Sequence, residues 1–193
     1  MNSLKPINCK RLKTLTHNTQ NGYIKITKER WIEMEIQKKT KIMMISPEGL
    51  QIIVKSKVIS NVVYEYSFAN LPSKFIPFYK YASDFVNVLR SKTPKIVLIT
   101  SNGTFKLMDN EPYHNFECKF NDGCLINYTD GSQKLIIKIN EEEIFLNPQN
   151  SREYYNTEWE DYICEMFEAL SKCKKIEGNC TKDMIFPITE KQL

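Results

Sequence analysis

Apolar and polar residues alternate with a period of two over much of the first half of the chain, the signature of half-buried strands. Ile32, Met34 and Ile36 fall on one face with Glu33 and Glu35 on the other, and Tyr23–Ile26 shows the same alternation. Lys41–Ile45 and Leu50–Lys55 flank Ser46-Pro47-Glu48-Gly49, a turn with proline at its second position, which predicts an antiparallel hairpin. Val62–Tyr66 adds a further strand. The period then changes: Phe78, Ala82, Phe85 and Leu89 lie at i, i+4, i+7 and i+11, one stripe of a helix that Pro77 opens and Pro94 closes.

The second half repeats the order. Ile96–Thr100, Thr104–Met108, Phe116–Phe120, Cys124–Tyr128, Leu135–Ile139 and Ile144–Leu146 read as strands separated by turn sequences such as Asn102-Gly103, Asp122-Gly123 and Asp130-Gly131. A second helix follows, with Thr157 and Glu160 spaced as a capping box and Trp159, Tyr162, Ile163, Met166, Leu170 and Cys173 on one stripe. The pattern predicts an α+β chain of two tandem modules, each an antiparallel sheet covered on one face by the helix that ends it.

Charge separates the two modules. Residues 1–93 hold 16 Lys and Arg against 6 Asp and Glu, whereas residues 94–193 hold 11 against 17, so about +10 is followed by about −6. A cationic half of this kind faces an acidic protein segment, a nucleic acid or an anionic membrane. With 193 residues and 41% hydrophobic content the chain can bury one sizeable core or two small ones. No apolar run is long enough for a membrane span, and the opening lacks a secretory apolar region, so an intracellular, soluble protein is expected. Cys9, Cys118, Cys124, Cys164, Cys173 and Cys180 form no CxxC pair and read as free thiols, and the Asn-x-Ser/Thr matches at Asn102, Asn127 and Asn179 are expected to carry no glycan.

Catalytic chemistry needs convergent groups, and few are offered. His17 in the basic lead segment and His114 beside Tyr113 have no partner at useful spacing and are expected to be solvent-exposed. GxSxG, HExxH, GxxxxGK[ST] and GxGxxG are all missing. Glu141-Glu142-Glu143 could reach a cation, but neighbouring strand residues point apart, so the run reads as a solvated hairpin end.

One stretch is specific in wording. Tyr66-Ser-Phe-Ala-Asn-Leu-Pro-Ser-Lys-Phe75, followed by Lys80 through Lys95, resembles the junction between the two halves of the cryptic polo box, the tandem polo-box region of the polo-like kinase 4 (Sak) family. Cys9-Lys-Arg-Leu-Lys13 resembles the opening of that region, Phe116–Gly123 one of its strands and turns, and Met184–Ile188 its close. The resemblance implies two polo boxes, 1–93 basic and scaffold-docking and 94–193 acidic and dimerising, each a six-stranded antiparallel sheet packed by a C-terminal helix. It implies a non-catalytic targeting fragment of a serine/threonine kinase, with ATP and Mg belonging to a kinase domain outside it and no cofactor within it. Expected partners are an acidic segment of a centriolar scaffold protein of the Asterless kind and a second copy of the chain, with no nucleic acid and no membrane. The expected location is the cytoplasm, at the centrosome and centriole, in centriole duplication.

Carried over residue by residue, the docking cations are Arg11 and Lys13 in the opening motif and Lys80, Arg90, Lys92 and Lys95 around the junction. Lys25, Lys28, Lys38, Lys39 and Lys41 join them on charge alone. As surface charges, Arg90 and Lys92 are expected to tolerate reversal without loss of the fold. The pattern departs from phosphopeptide-binding polo boxes, since Asn115 and Phe116 follow His114 where a His-x-Lys pair would stand and Trp31 has no matching context. The alternative is a nucleic-acid or anionic-lipid binder using the same basic half.

Overall fold

The computed structural model describes residues 4–20, 22–59, 62–140, 142–146, 159–180 and 187–192. Two compact units divide the chain, Met1–Leu89 and Arg90–Leu193.

In the first unit, six strands run as an antiparallel meander in sequence order: β1 (Leu15–Thr19), β2 (Gly22–Ile26), β3 (Ile32–Ile36), β4 (Lys41–Ile45), β5 (Gln51–Ser56) and β6 (Val63–Ser67). The alternation sets the register: Ile32, Met34 and Ile36 on β3 sit opposite Ile45, Met43 and Lys41 on β4. The apolar faces are buried against helix α1 (Ile76–Arg90). Its core stripe is Tyr79, Ala82 and Val86, with Phe75 buried just before the helix and the expected Phe78, Phe85 and Leu89 packed along the margin. The stripe thus lies turned from its expected centre, because the larger rings close the edges of the contact. Pro94, expected to close the helix, is instead the first residue of the next strand.

The lead segment before β1 is more than a basic tail. Ile7, Cys9 and Leu12 are buried in the first core. The Ile7 N–H donates to the Tyr79 hydroxyl at 2.9 Å, and that hydroxyl donates to the Gly49 carbonyl at 2.8 Å. Tyr79 therefore joins the lead segment, the β4–β5 turn and α1. Gly49 has φ 71°, and a Cβ there would stand 2.3 Å from the Ile7 nitrogen, so the turn requires glycine for conformation and for space.

The second unit has β7 (Pro94–Ile99), β8 (Gly103–Met108), β9 (Asn115–Phe120), β10 (Leu125–Thr129), β11 (Lys134–Ile139) and β12 (Glu142–Leu146) as an antiparallel meander. Helix α2 (Glu160–Gly178) buries Ile163, Met166, Ala169, Leu170 and Cys173 on this sheet, the expected stripe. Trp159 is the N-cap residue and makes no side-chain cap bond, while Thr157 of the expected capping box lies outside the described residues. After the helix comes a strand that the sequence pattern did not announce: β13 (Ile188–Lys191) pairs parallel to β7, so this sheet has seven strands in the order β12-β11-β10-β9-β8-β7-β13. Of the expected closing motif, Pro187 and Ile188 are among the described residues.

Candidate functional site

The predicted docking cations fall into two groups once their surroundings are seen. On the first unit, Arg11 and Lys13 are exposed in the lead segment, Lys28 in the β2–β3 turn, Lys38 and Lys39 in the β3–β4 turn, and Lys80 on α1. Lys41 opens β4 half-buried between Ile36 and Ser56. Lys25 lies against the Glu33 carboxylate at 2.7 Å and over the Tyr23 ring at 5.3 Å. Burial would raise the Glu33 carboxyl, but the bonds from Lys25 and Tyr23 outweigh it and hold the group below its ordinary value.

On the second unit the picture differs. Arg90 Nε donates to Asp109 Oδ2 at 3.0 Å, with the two side chains 13% and 6% exposed, and Arg90 Nη2 reaches Glu111 at 3.4 Å. Lys95, 11% exposed, lies 2.5 Å from Glu177 of α2. These two cations tie elements of their own unit together, so the expectation that Arg90 tolerates reversal is corrected: its partner is a nearly buried carboxylate that needs a positive neighbour. Lys92 is exposed.

His114, expected in solvent, is instead half-buried: Nδ1 lies 3.2 Å from the Met108 carbonyl oxygen and Nε2 3.5 Å from Glu177. His17 is exposed on β1, its ring stacked on Phe85. Glu143 pairs with Lys138 across the β11–β12 register at 3.0 Å. Among the described residues, no group of three or more His, Cys, Asp and Glu side chains stands close enough to hold a metal ion, and no helix is long and apolar enough to cross a membrane.

All six cysteines are free, and Cys9, Cys118, Cys124 and Cys173 are buried. Burial pushes the Cys9 thiol up to about 11, with the Glu48 charge adding to it, and pushes Cys173 up to about 12, with Glu190 and Glu177 adding. Burial also raises Cys118 and takes Cys124 to about 11. A thiol held protonated is a poor nucleophile, so these residues act as small core hydrophobes.

The sequence reading missed a groove on the first unit. It holds about 690 Å³ and is lined by Thr19 and Gln20, the start of β2, β3, the β3–β4 turn and α1, with Lys38 and Lys39 among its walls. Only the two lysines carried a signal in the sequence; the apolar residues beside them read as core. The first unit thus combines exposed cations with an apolar concavity, an arrangement suited to holding an acidic segment through both its charge and its apolar side chains.

Comparison with known proteins gives two family matches that divide the chain. Residues 4–90 match the family model described as Polo-like Kinase 4 Polo Box 1, and residues 92–192 match Polo-like Kinase 4 Polo Box 2. The chain is similar to proteins described as serine/threonine-protein kinase PLK4. The Nematostella vectensis relative is 29% identical over 68% of this chain and 15% of its own length. The Xenopus tropicalis relative is 25% identical over 96% and 22%, and the Drosophila grimshawi relative 26% identical over 97% and 27%. The chain therefore spans between 15% and 27% of the length of the curated relatives it matches. Among solved structures, the polo-box domain of Cdc5 from budding yeast is 10% identical, with a TM-score of 0.34, covering 89% of this chain and 81% of that one.

Proposed function

Since the chain belongs to the polo-like kinase 4 polo-box family, with polo box 1 followed by polo box 2, we propose that it is the non-catalytic targeting and dimerisation module of a serine/threonine kinase of that type. The catalytic step, with ATP and Mg, belongs to a kinase domain outside this chain. The module brings that kinase to the centriole in the cytoplasm by docking an acidic segment of a scaffold protein of the Asterless kind. The observation that carries this reading is the charge of the first unit, whose residues 1–89 hold 14 cations against 6 acids, together with the exposure of Arg11, Lys13, Lys28, Lys38, Lys39 and Lys80 on it. Arg90 and Lys95 hold the second unit together, so the docking face is centred on the first.

The test is capture from a cell extract with scaffold proteins and nucleic acid monitored together. Lys13→Glu with Lys80→Glu is expected to abolish scaffold capture, whereas reversal of the exposed second-unit residue Lys134 leaves it intact. Capture should also fall as salt rises, because exposed charges are screened within about 10 Å at 0.1 M. Nuclease-sensitive capture of DNA or RNA with no scaffold would replace this reading by the nucleic-acid one.

Dimerisation is assigned to the second unit. The family motivates it, and the exposure of Phe145, 71%, on β12, the outermost strand among the described residues, supports it, since an open apolar edge invites a second strand. A closed two-fold contact uses the same surface from both copies. Sedimentation of the intact chain should show a dimer that Phe145→Asp converts to monomer; a wild-type monomer at high micromolar concentration would refute the assignment.

A further inference from the structure

The groove on the first unit has an apolar floor and a cationic rim. Met34 is buried beneath it, Phe78 is half-buried at its helical side, and Tyr81 projects into it 45% exposed, away from the core. Tyr23 borders it at the start of β2, while its ring lies along the face of the sheet away from α1, its hydroxyl donating to Glu33 at 2.5 Å. Lys38 and Lys39 stand at the rim, exposed, in a turn where Gln37, Lys38 and Lys39 take φ of 50°, 54° and 66°. Residues with side chains avoid this left-handed region, and three in a row is a conformation that the surroundings must hold. Thr40 holds it, donating through its N–H at 3.2 Å and its hydroxyl at 2.7 Å to the Gln37 carbonyl.

The charge balance of the groove fixes the sign of its ligand. Its one lining acid, Glu35, is paired with Lys57 at 2.5 Å. Among the described residues, no ion pair joins Lys38 or Lys39 to an acid. The volume suits a few large side chains, within the range of about 300–1,000 Å³ that ligand sites occupy. A phosphate backbone would leave the apolar floor uncovered, and a bilayer surface would not enter a concavity.

Resting on the reading that the first unit docks an acidic segment, we propose that this groove is the specificity pocket of that contact. It takes one bulky aromatic or aliphatic side chain of the segment against Phe78 and Tyr81, while carboxylates flanking that anchor pair with Lys38 and Lys39. Charge brings the segment to the first unit; the anchor sets which segment stays and in what register.

The experiment uses the intact chain and two labelled synthetic peptides of identical Asp/Glu-rich sequence, one with a central Phe and one with Ala in its place, read by fluorescence anisotropy. The Phe peptide should bind at least about tenfold more tightly. Tyr81→Ala should erase that preference, and Lys38→Glu with Lys39→Glu should weaken both peptides, with circular dichroism and the urea midpoint unchanged. Equal affinity for the two peptides, or a preference that survives Tyr81→Ala, overturns the pocket and leaves the docking reading standing. Binding of neither peptide, with duplex DNA or phosphatidylserine vesicles bound instead, overturns both.

Discussion

Arg90 and Lys92 are two residues apart and carry the same charge, yet their environments assign them different work. Arg90 neutralises Asp109, a carboxylate 6% exposed, whereas Lys92 faces solvent. Arg90→Glu should destabilise the second unit by about 2 kcal/mol, the scale of a charged hydrogen bond lost beside a buried group. Lys92→Glu should fall within about ±0.5 kcal/mol of wild type, and urea melts of the two variants make the comparison. Tyr79 is the corresponding residue of the first unit, though it works without charge. Its hydroxyl both accepts from Ile7 and donates to Gly49 inside the core. Tyr79→Phe leaves a buried N–H and a buried carbonyl without that partner, an expected loss of about 1–3 kcal/mol in the same assay. The importance of Arg90 was not legible in the sequence, because its partner, Asp109, stands 19 positions away, just after β8. Charge type can be read from a sequence; what a charge faces cannot.

At the scale of elements, what could be read followed the strength of the local pattern. β3 and α2 bury one face each, and both periods stand out. β1 is nearly all exposed, with polar Thr16, His17 and Asn18 on both sides, so it has no alternation to find and is a strand because β2 pairs with it. β13 is four residues long and joins β7 from 92 positions further along the chain, as in the pairing of Ile188 with Ile96. Nothing local marks it. Its consequence is nonetheless large, since it covers the edge of β7, whose alternate residues Ile96 and Leu98 are in the core. Removing residues 187–193 should expose that edge as a template for pairing with other chains. Light scattering at matched concentration is expected to show aggregates of the shortened protein and none of the intact one.

For the whole molecule, two units of opposite charge allow two contacts of different kind. The proposed dimer through the second unit would carry two first units, so a dimeric scaffold that engages both would gain avidity of roughly 10²–10⁴ where geometry permits. A Phe145→Asp monomer should therefore bind a single acidic peptide with wild-type affinity in calorimetry yet localise poorly to centrioles. Normal localisation of a proven monomer would show that avidity plays no part. The Tyr79 junction also bears on how the protein comes into being. Ile7 meets its partner hydroxyl 72 residues later, and at roughly 5–20 residues per second the ribosome needs on the order of ten seconds to supply it. The meander from β1 to β6 closes through neighbouring hairpins as it emerges, because each pairing spans a short loop. Cys9 can meet the Arg30 and Pro47 carbonyls as the meander forms, but the Ile7 N–H has to wait for its acceptor until α1 is synthesised. For that interval the lead segment shows its apolar side chains between its lysines and arginine, and the core of the first unit is complete only when its last element leaves the ribosomal tunnel.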